Sequence, residues 1–190
     1  MKVYLDNAAT TPIAPEVIEA MIPVMKESFG NPSSTHAFGR TSKALIETSR
    51  RTIAKLINCQ PSEIIFTSGG TEADNMAIYS SVNLLGVKRI ITSKLEHHAV
   101  GHTVDALVKE GKITVHYVKT QKCGTIDLAD LERLLTVEEK TLVSLMHANN
   151  EIGNLLPLKK VGEICETYNA IFHSDTVQTI GHYPMDLQKI

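Results

Sequence analysis

Four short polar clusters carry the side chains best suited to chemistry: Ser68-Gly69-Gly70-Thr71, Glu96-His97-His98, His147-Ala148-Asn149-Asn150-Glu151 and Asp175-Thr176-Val177-Gln178. In the first, a glycine pair lets the backbone approach a ligand, and the N–H groups of the helix that follows would face an anion, so a phosphate fits. The cluster is neither G-x-x-x-x-G-K-[ST] nor G-x-G-x-x-G, which leaves nucleotide binding by those routes without support. An ordinary glycine turn before a capped helix is the alternative. His98 and His102 stand at i and i+4 and could face one metal ion, yet no acidic or cysteine ligand has a matching spacing and H-E-x-x-H is absent. An imidazole at a strand end, such as His97, can equally stack on an aromatic ligand or cap a helix. A buried Asp175 needs a positive partner, for which the protonated ring nitrogen of a cofactor would serve, or its pKa rises; otherwise it is a helix N-cap. The amides of Asn149 and Asn150 could hold a phenolate or a substrate carboxylate, or simply build a turn. Cys165 reads as core, Cys59 precedes a proline-containing turn, and Cys123, exposed beside Gly124, has no nearby histidine or helix N-terminus to activate it.

These clusters need elements to position them. Short runs rich in Ile and Val predict strands at 64–67, 89–93, 114–118, 141–146 and 170–174, covered on both faces. Helical patterns occupy 71–81, 98–110, 127–135 and 158–168, and Thr71-Glu72-Ala73-Asp74 fits a capping box in its Asp form. Two further helices, 15–29 and 40–57, come first; Pro15 suits a first turn, Pro23 is placed to kink, and Gly30-Asn31-Pro32-Ser33-Ser34-Thr35-His36 forms a turn-rich loop between them. Alternation of strands and helices implies right-handed crossovers and an α/β fold with a mainly parallel sheet flanked by helices. In such sheets ligands collect beyond the carboxyl ends of strands, which is where all four clusters fall.

The 190 residues suffice for one well-buried domain. With 19 Lys+Arg against 21 Asp+Glu the net charge is −2, which argues against a nucleic-acid binder. Hydrophobic residues at 43% and charged residues at 21% exclude disorder and coiled coil. No apolar run is long enough for a membrane helix, the N-terminus does not read as a signal peptide, and three scattered cysteines make no disulfide framework. A cytoplasmic chain is expected.

Several blocks together resemble the cysteine desulfurases of the NifS/IscS type, within the class-V aminotransferases. They are Tyr4-Leu5-Asp6-Asn7-Ala8-Ala9-Thr10-Thr11-Pro12, Gly30-Asn31-Pro32-Ser33-Ser34 with His36, Phe66-Thr67-Ser68-Gly69-Gly70-Thr71-Glu72-Ala73-Asp74-Asn75, the stretch from Thr92 to Val100 around Glu96-His97-His98, His147-Ala148-Asn149-Asn150-Glu151-Ile152-Gly153, and His173-Ser174-Asp175-Thr176-Val177-Gln178. The resemblance runs the length of the chain in order. It implies the large domain of a fold-type-I pyridoxal 5'-phosphate (PLP) enzyme, incomplete here, with residues 1–15 as an N-terminal arm and 16–190 as the first part of the domain.

By the same resemblance, Gly70 and Thr71 would bind the phosphate and His97 would stack on the pyridine. Asp175 would pair with the ring nitrogen, Gln178 would bond the ring hydroxyl, and Asn149 would sit beside the ring and the substrate carboxylate. His97 and Asp175 would be the catalytic pair, and no metal is implied. The implied reaction converts L-cysteine to L-alanine and an enzyme persulfide, by attack of a cysteine thiolate on the substrate sulfur. The sulfur would pass to an acceptor or scaffold protein for iron–sulfur cluster or thio-cofactor assembly.

The family's Schiff-base lysine lies in a Ser-x-His-Lys stretch that this sequence does not contain. The catalytic-cysteine loop is also absent by resemblance, so the chain alone is expected to be inactive. The strand at 64–67 would lack its neighbours, leaving backbone groups unpaired unless the second half, a homodimer or a rearranged sheet covers it. Two other readings are a non-catalytic fragment that keeps the fold for dimerisation or partner binding, and a selenocysteine lyase or another class-V relative.

Overall fold

The computed structural model describes all of residues 1–190. They form two compact units: Met1–Ile65 with Met185–Gln188, and Phe66–Pro184 with Lys189–Ile190. No helix is long and apolar enough to cross a membrane.

The first unit holds α1 (Pro15–Glu27) and α2 (Ala37–Leu56), followed by a 3-10 turn at Pro61–Glu63. Pro15 occupies the first turn of α1 as expected, and Pro23 lies within the helix. Helix α2 starts three residues earlier than its apolar pattern indicates, because His36 caps it: Nδ1 accepts the Gly39 N–H at 3.3 Å. Gly39 is required there, since a Cβ would lie 2.5 Å from the carbonyl oxygens of Asn31 and Ser34. At the end of α2, the Ile57 carbonyl accepts the Leu187 N–H at 3.0 Å and Asn58 bonds Asp186 at 2.8 Å, which ties residues 185–188 to this unit.

The second unit is a four-stranded, wholly parallel sheet in the order β2-β1-β3-β4, built from β1 (Arg89–Thr92), β2 (Thr114–Tyr117), β3 (Thr141–Ser144) and β4 (Ile171–His173). Its helices are α3 (Gly70–Asn83), α4 (His98–Lys109), α5 (Leu128–Leu135) and α6 (Leu158–Thr167). Register pairs Ile90 with Leu142 and Ile91 with Val143. Because side chains alternate, Ile90 and Leu142 face one side, where they join Ile78, Val82, Val100, Val104 and Leu107 of α3 and α4. Ile91 and Val143 face the other side, that of α5 and α6, which bury Leu131, Leu134, Val161 and Cys165.

The sequence expectation of strands covered on both faces holds for β1 and β3, which are buried throughout, but not for the edge strands β2 and β4, which are half-buried or exposed. The predicted strand at 64–67 does not form. Ile65 is 66% exposed and Phe66 49% exposed, and no strand lies alongside to accept or donate a ladder of hydrogen bonds.

Candidate active site

The sheet order places a topological switch between β1 and β3. The chain leaves β1 for α4 on one face and leaves β3 for α6 on the other, which opens a crevice at their carboxyl ends. Residues 93–98 follow β1, residues 145–151 follow β3 and residues 174–178 follow β4, so three of the four polar clusters converge on one rim. The fourth, residues 68–71, starts α3. It meets the β4 cluster directly, because a Cβ on Gly70 would lie 2.7 Å from Val177 Cγ2.

The N-terminus of α3 is open. Its first intrahelical bond runs from Ala73 N–H to the Gly69 carbonyl at 3.1 Å, leaving the N–H groups of Gly70, Thr71 and Glu72 ahead of it. A side chain on Gly69 would meet nothing within 4 Å. The expected capping box is not formed. Thr71 sits inside the first turn, and the Glu72 carboxylate accepts the Ser68 N–H at 2.6 Å instead. That backbone bond, with a side-chain bond to Ser68, holds the Glu72 carboxyl below its usual range. Asp74 turns inward, with Ile78, Ser81 and Val82 on the buried face of α3.

His97 is the N-cap of α4, its Nδ1 accepting the Ala99 N–H at 3.2 Å while the ring stays exposed. His98 and His102 stack on each other with centroids 5.6 Å apart, and no group of three His, Cys, Asp or Glu side chains is placed to hold a metal ion. Lys94 reaches the other way, its Nζ 5.7 Å from the Tyr117 ring centroid.

Asp175 is 8% exposed. It caps no helix; its Oδ1 accepts the Val177 N–H at 2.9 Å in a turn that also carries the half-buried Gln178. Burial is the main force pushing its carboxyl up, and Asp74 adds to it, whereas the Val177 N–H, His97 and His173 pull the other way. No lysine or arginine pairs with it. Asn149 engages its amide within the rim: Nδ2 donates to the Leu95 carbonyl at 2.8 Å, and Oδ1 accepts the N–H groups of Glu151 and Ile152 at 2.8 and 2.9 Å. An open helix N-terminus, an exposed imidazole and a buried carboxyl with no lysine or arginine against it thus share one rim.

Two features of the site lie beyond what spacing in the sequence indicates. The first is a chain beneath Asp175, in which Ser144 Oγ is 2.9 Å from His173 Nδ1 and His173 Nε2 is 3.5 Å from Asp74 Oδ1. The sequence offered Asp74 only as the end of a capping box, whereas it is buried on α3 and faces His173 of β4. The second is Glu96, whose carboxyl lies across the crevice between the two loops. Cys165 is buried, with its thiol pushed up to about 12 by desolvation, as a core residue. Cys123 departs from its sequence expectation. The Thr125 hydroxyl, 3.2 Å from Sγ, and the Thr125 backbone lower its pKa although no histidine or helix end is near.

A sequence profile for the class-V aminotransferases matches residues 3–190. The cysteine desulfurase IscS of Dictyoglomus turgidum is 48% identical over 191 residues, covering 100% of this chain and 48% of that protein. The IscS of Methanosarcina thermophila is 46% identical, covering 99% of this chain and 46% of its own length. The chain spans about half the length of the curated relatives it matches. Among solved structures, a NifS-like protein superposes with a TM-score of 0.93 at 39% identity, over 100% of this chain and 52% of that one. A structure described as SspA in complex with cysteine gives 0.89 at 31% identity, over 98% and 54%. With a profile match along nearly its whole length and the parallel sheet of the NifS-like structures, the chain belongs to the class-V aminotransferase family.

Proposed function

We propose that this chain is the N-terminal, cofactor-binding part of a PLP-dependent cysteine desulfurase that converts L-cysteine to L-alanine and passes the sulfur to an acceptor. The observation that carries the reading is Asp175, a buried carboxyl at a strand end with no lysine or arginine against it, beside an open helix N-terminus. The donor set fits PLP: backbone N–H groups for a phosphate, a flat exposed imidazole for a ring, and a carboxylate for a protonated ring nitrogen. When bound, PLP supplies an electron sink beside the substrate's α-carbon.

The residues then take these roles. Gly70 and Thr71 hold the phosphate through their N–H groups, with glycine at 70 because Val177 leaves no room for a side chain. His97 lays its ring against the pyridine. Its Nδ1 is occupied by the Ala99 N–H, which orients the ring and leaves the proton of the neutral imidazole on Nε2. Asp175 ionises against the ring nitrogen, the opposite charge offsetting the cost of burial. Gln178, in the same turn, bonds the ring hydroxyl. Asn149, its amide engaged at both ends, shapes the wall where the ring and the substrate carboxylate lie.

The SspA structure, which is a complex with cysteine, and the IscS relatives, which are cysteine desulfurases, support cysteine as substrate. Homodimer formation and a sulfur-accepting partner come with the same reading. In this reading the covalent lysine, in a Ser-x-His-Lys stretch that this sequence does not contain, and the nucleophilic cysteine lie in the second half of the enzyme.

With PLP and L-cysteine, the 190-residue chain is expected to change the cofactor's absorbance on binding while releasing neither alanine nor sulfide. A longer polypeptide that continues this sequence through such a lysine stretch is expected to form both products. Absence of alanine from the longer protein overturns the desulfurase reading, and sulfide release by the shorter one overturns the division of labour.

A further inference from the structure

At the switch point the loops after β1 and β3 diverge to opposite faces of the sheet, and nothing in the strand ladder holds them together beyond Thr92 and Ser144. Glu96 bridges that gap. Its Oε1 is 2.8 Å from Ser93 Oγ, and its Oε2 accepts the Met146 N–H at 2.9 Å. Ser93 Oγ accepts the Leu95 N–H at 3.1 Å, and the Leu95 carbonyl accepts Asn149 Nδ2–H at 2.8 Å. Asn149 Nδ2 also lies 3.5 Å from Met146 Sδ, so the contacts close a circuit from Ser93 through Glu96, Met146, Asn149 and Leu95 back to Ser93. His97 is the next residue after Glu96, and Asn149 is a member of the circuit.

We propose that Glu96 is a positioning residue for cofactor binding, its carboxyl clamping the β1 and β3 loops so that the His97 ring and the Asn149 wall stand at fixed separation. The proposal rests on the PLP reading above. The clamp needs an acceptor toward Met146 and a polar contact toward Ser93, and it needs no charge. The surroundings agree: desolvation first, then Asp175 and Asp74, push the Glu96 carboxyl up to about 8 although its bonds to Ser93 and Met146 pull it down. Glutamine preserves this arrangement, its Oε1 toward Met146 and its amide N–H toward Ser93, whereas alanine removes both ties.

The test compares wild type, E96Q and E96A by amide hydrogen exchange at Met146 and by titration with PLP followed by absorbance. E96A is expected to speed exchange at Met146 and to weaken PLP, each at least about tenfold, while E96Q stays within roughly threefold of wild type in both. Equal failure of E96Q and E96A overturns the proposal, as do E96A values indistinguishable from wild type. A loosened Met146 amide with unchanged PLP affinity also overturns it, because a tie that only holds the fold would give that result. If wild type itself takes up no PLP, the cofactor reading falls and the positioning role falls with it; wild-type binding with an unaffected E96A removes only the role of Glu96.

Discussion

Three carboxyl groups, Asp74, Glu96 and Asp175, share the interior near the carboxyl end of the sheet, and two of them, Glu96 and Asp175, couple stability to pH. Glu96 and Asp175 are both raised, chiefly by burial. Such groups bind their protons more tightly in the folded state. Stability is therefore highest below their unfolded pKa values and is lost as pH climbs through the folded ones. For Glu96 the window runs from its ordinary value of 4.5 to about 8. Fully expressed, that shift is worth about 5 kcal/mol, and relaxation of the buried site reduces it to a few kcal/mol. Thermal melts between pH 5 and pH 8.5 are expected to show Tm falling as pH rises, and E96Q is expected to flatten most of that slope. An unchanged slope in E96Q would assign the pH dependence to other groups. These carboxyls were visible in the sequence as types, and Asp175 was legible as a strand-end carboxyl in need of a cation. That they influence one another follows only from β1, β4 and α3 bringing together residues distant in the chain.

At the scale of elements, apolar periodicity located six helices and four strands to within a few residues, since buried stripes such as Leu158, Val161 and Cys165 repeat with the helix. Asp127 also announced α5 correctly, accepting the Asp130 N–H at 3.2 Å. The start of α2 was misplaced because His36 caps it, a role more often taken by Ser, Thr, Asp or Asn; His97 caps α4 at the start that the pattern indicated. The run Ile64-Ile65-Phe66-Thr67 has strand composition, yet a strand is a property of a pair, and the sheet does not extend to it. Where elements do pack, burial dominates. Leu107 is fully buried among Ile78, Val82, Ile90 and Leu142 between α3, α4 and the sheet. Leu107→Ala is expected to cost about 2–5 kcal/mol in denaturant unfolding. A loss below about 1 kcal/mol would mean that the α3–α4 layer does not pack as described.

At the scale of the whole molecule, the two units differ in how far they bury themselves. In the second, β1, β3 and the faces of α3 to α6 form a closed apolar interior. In the first, α1 buries none of its residues and exposes Val17, Ile18, Met21, Ile22, Val24 and Met25. Apolar side chains exposed on one helix give a hydrophobic dye a place to bind. The chain is therefore expected to bind ANS with a blue-shifted emission under native conditions, and replacing Met21 and Met25 with glutamate is expected to reduce the signal. An ANS response as low as that of a fully buried globular protein would contradict it. By itself, the sequence determined the α/β class, the parallel crossovers, the placement of three of the four polar clusters after strands and the family, because these depend on local periodicity and on motifs read in order. Only the tertiary structure decided which clusters meet, that Glu96 ties β1 to β3, that Asp74 faces His173, and that residues 64–67 join no sheet. Those outcomes depend on strand order and long-range contact, which no local pattern of residues encodes.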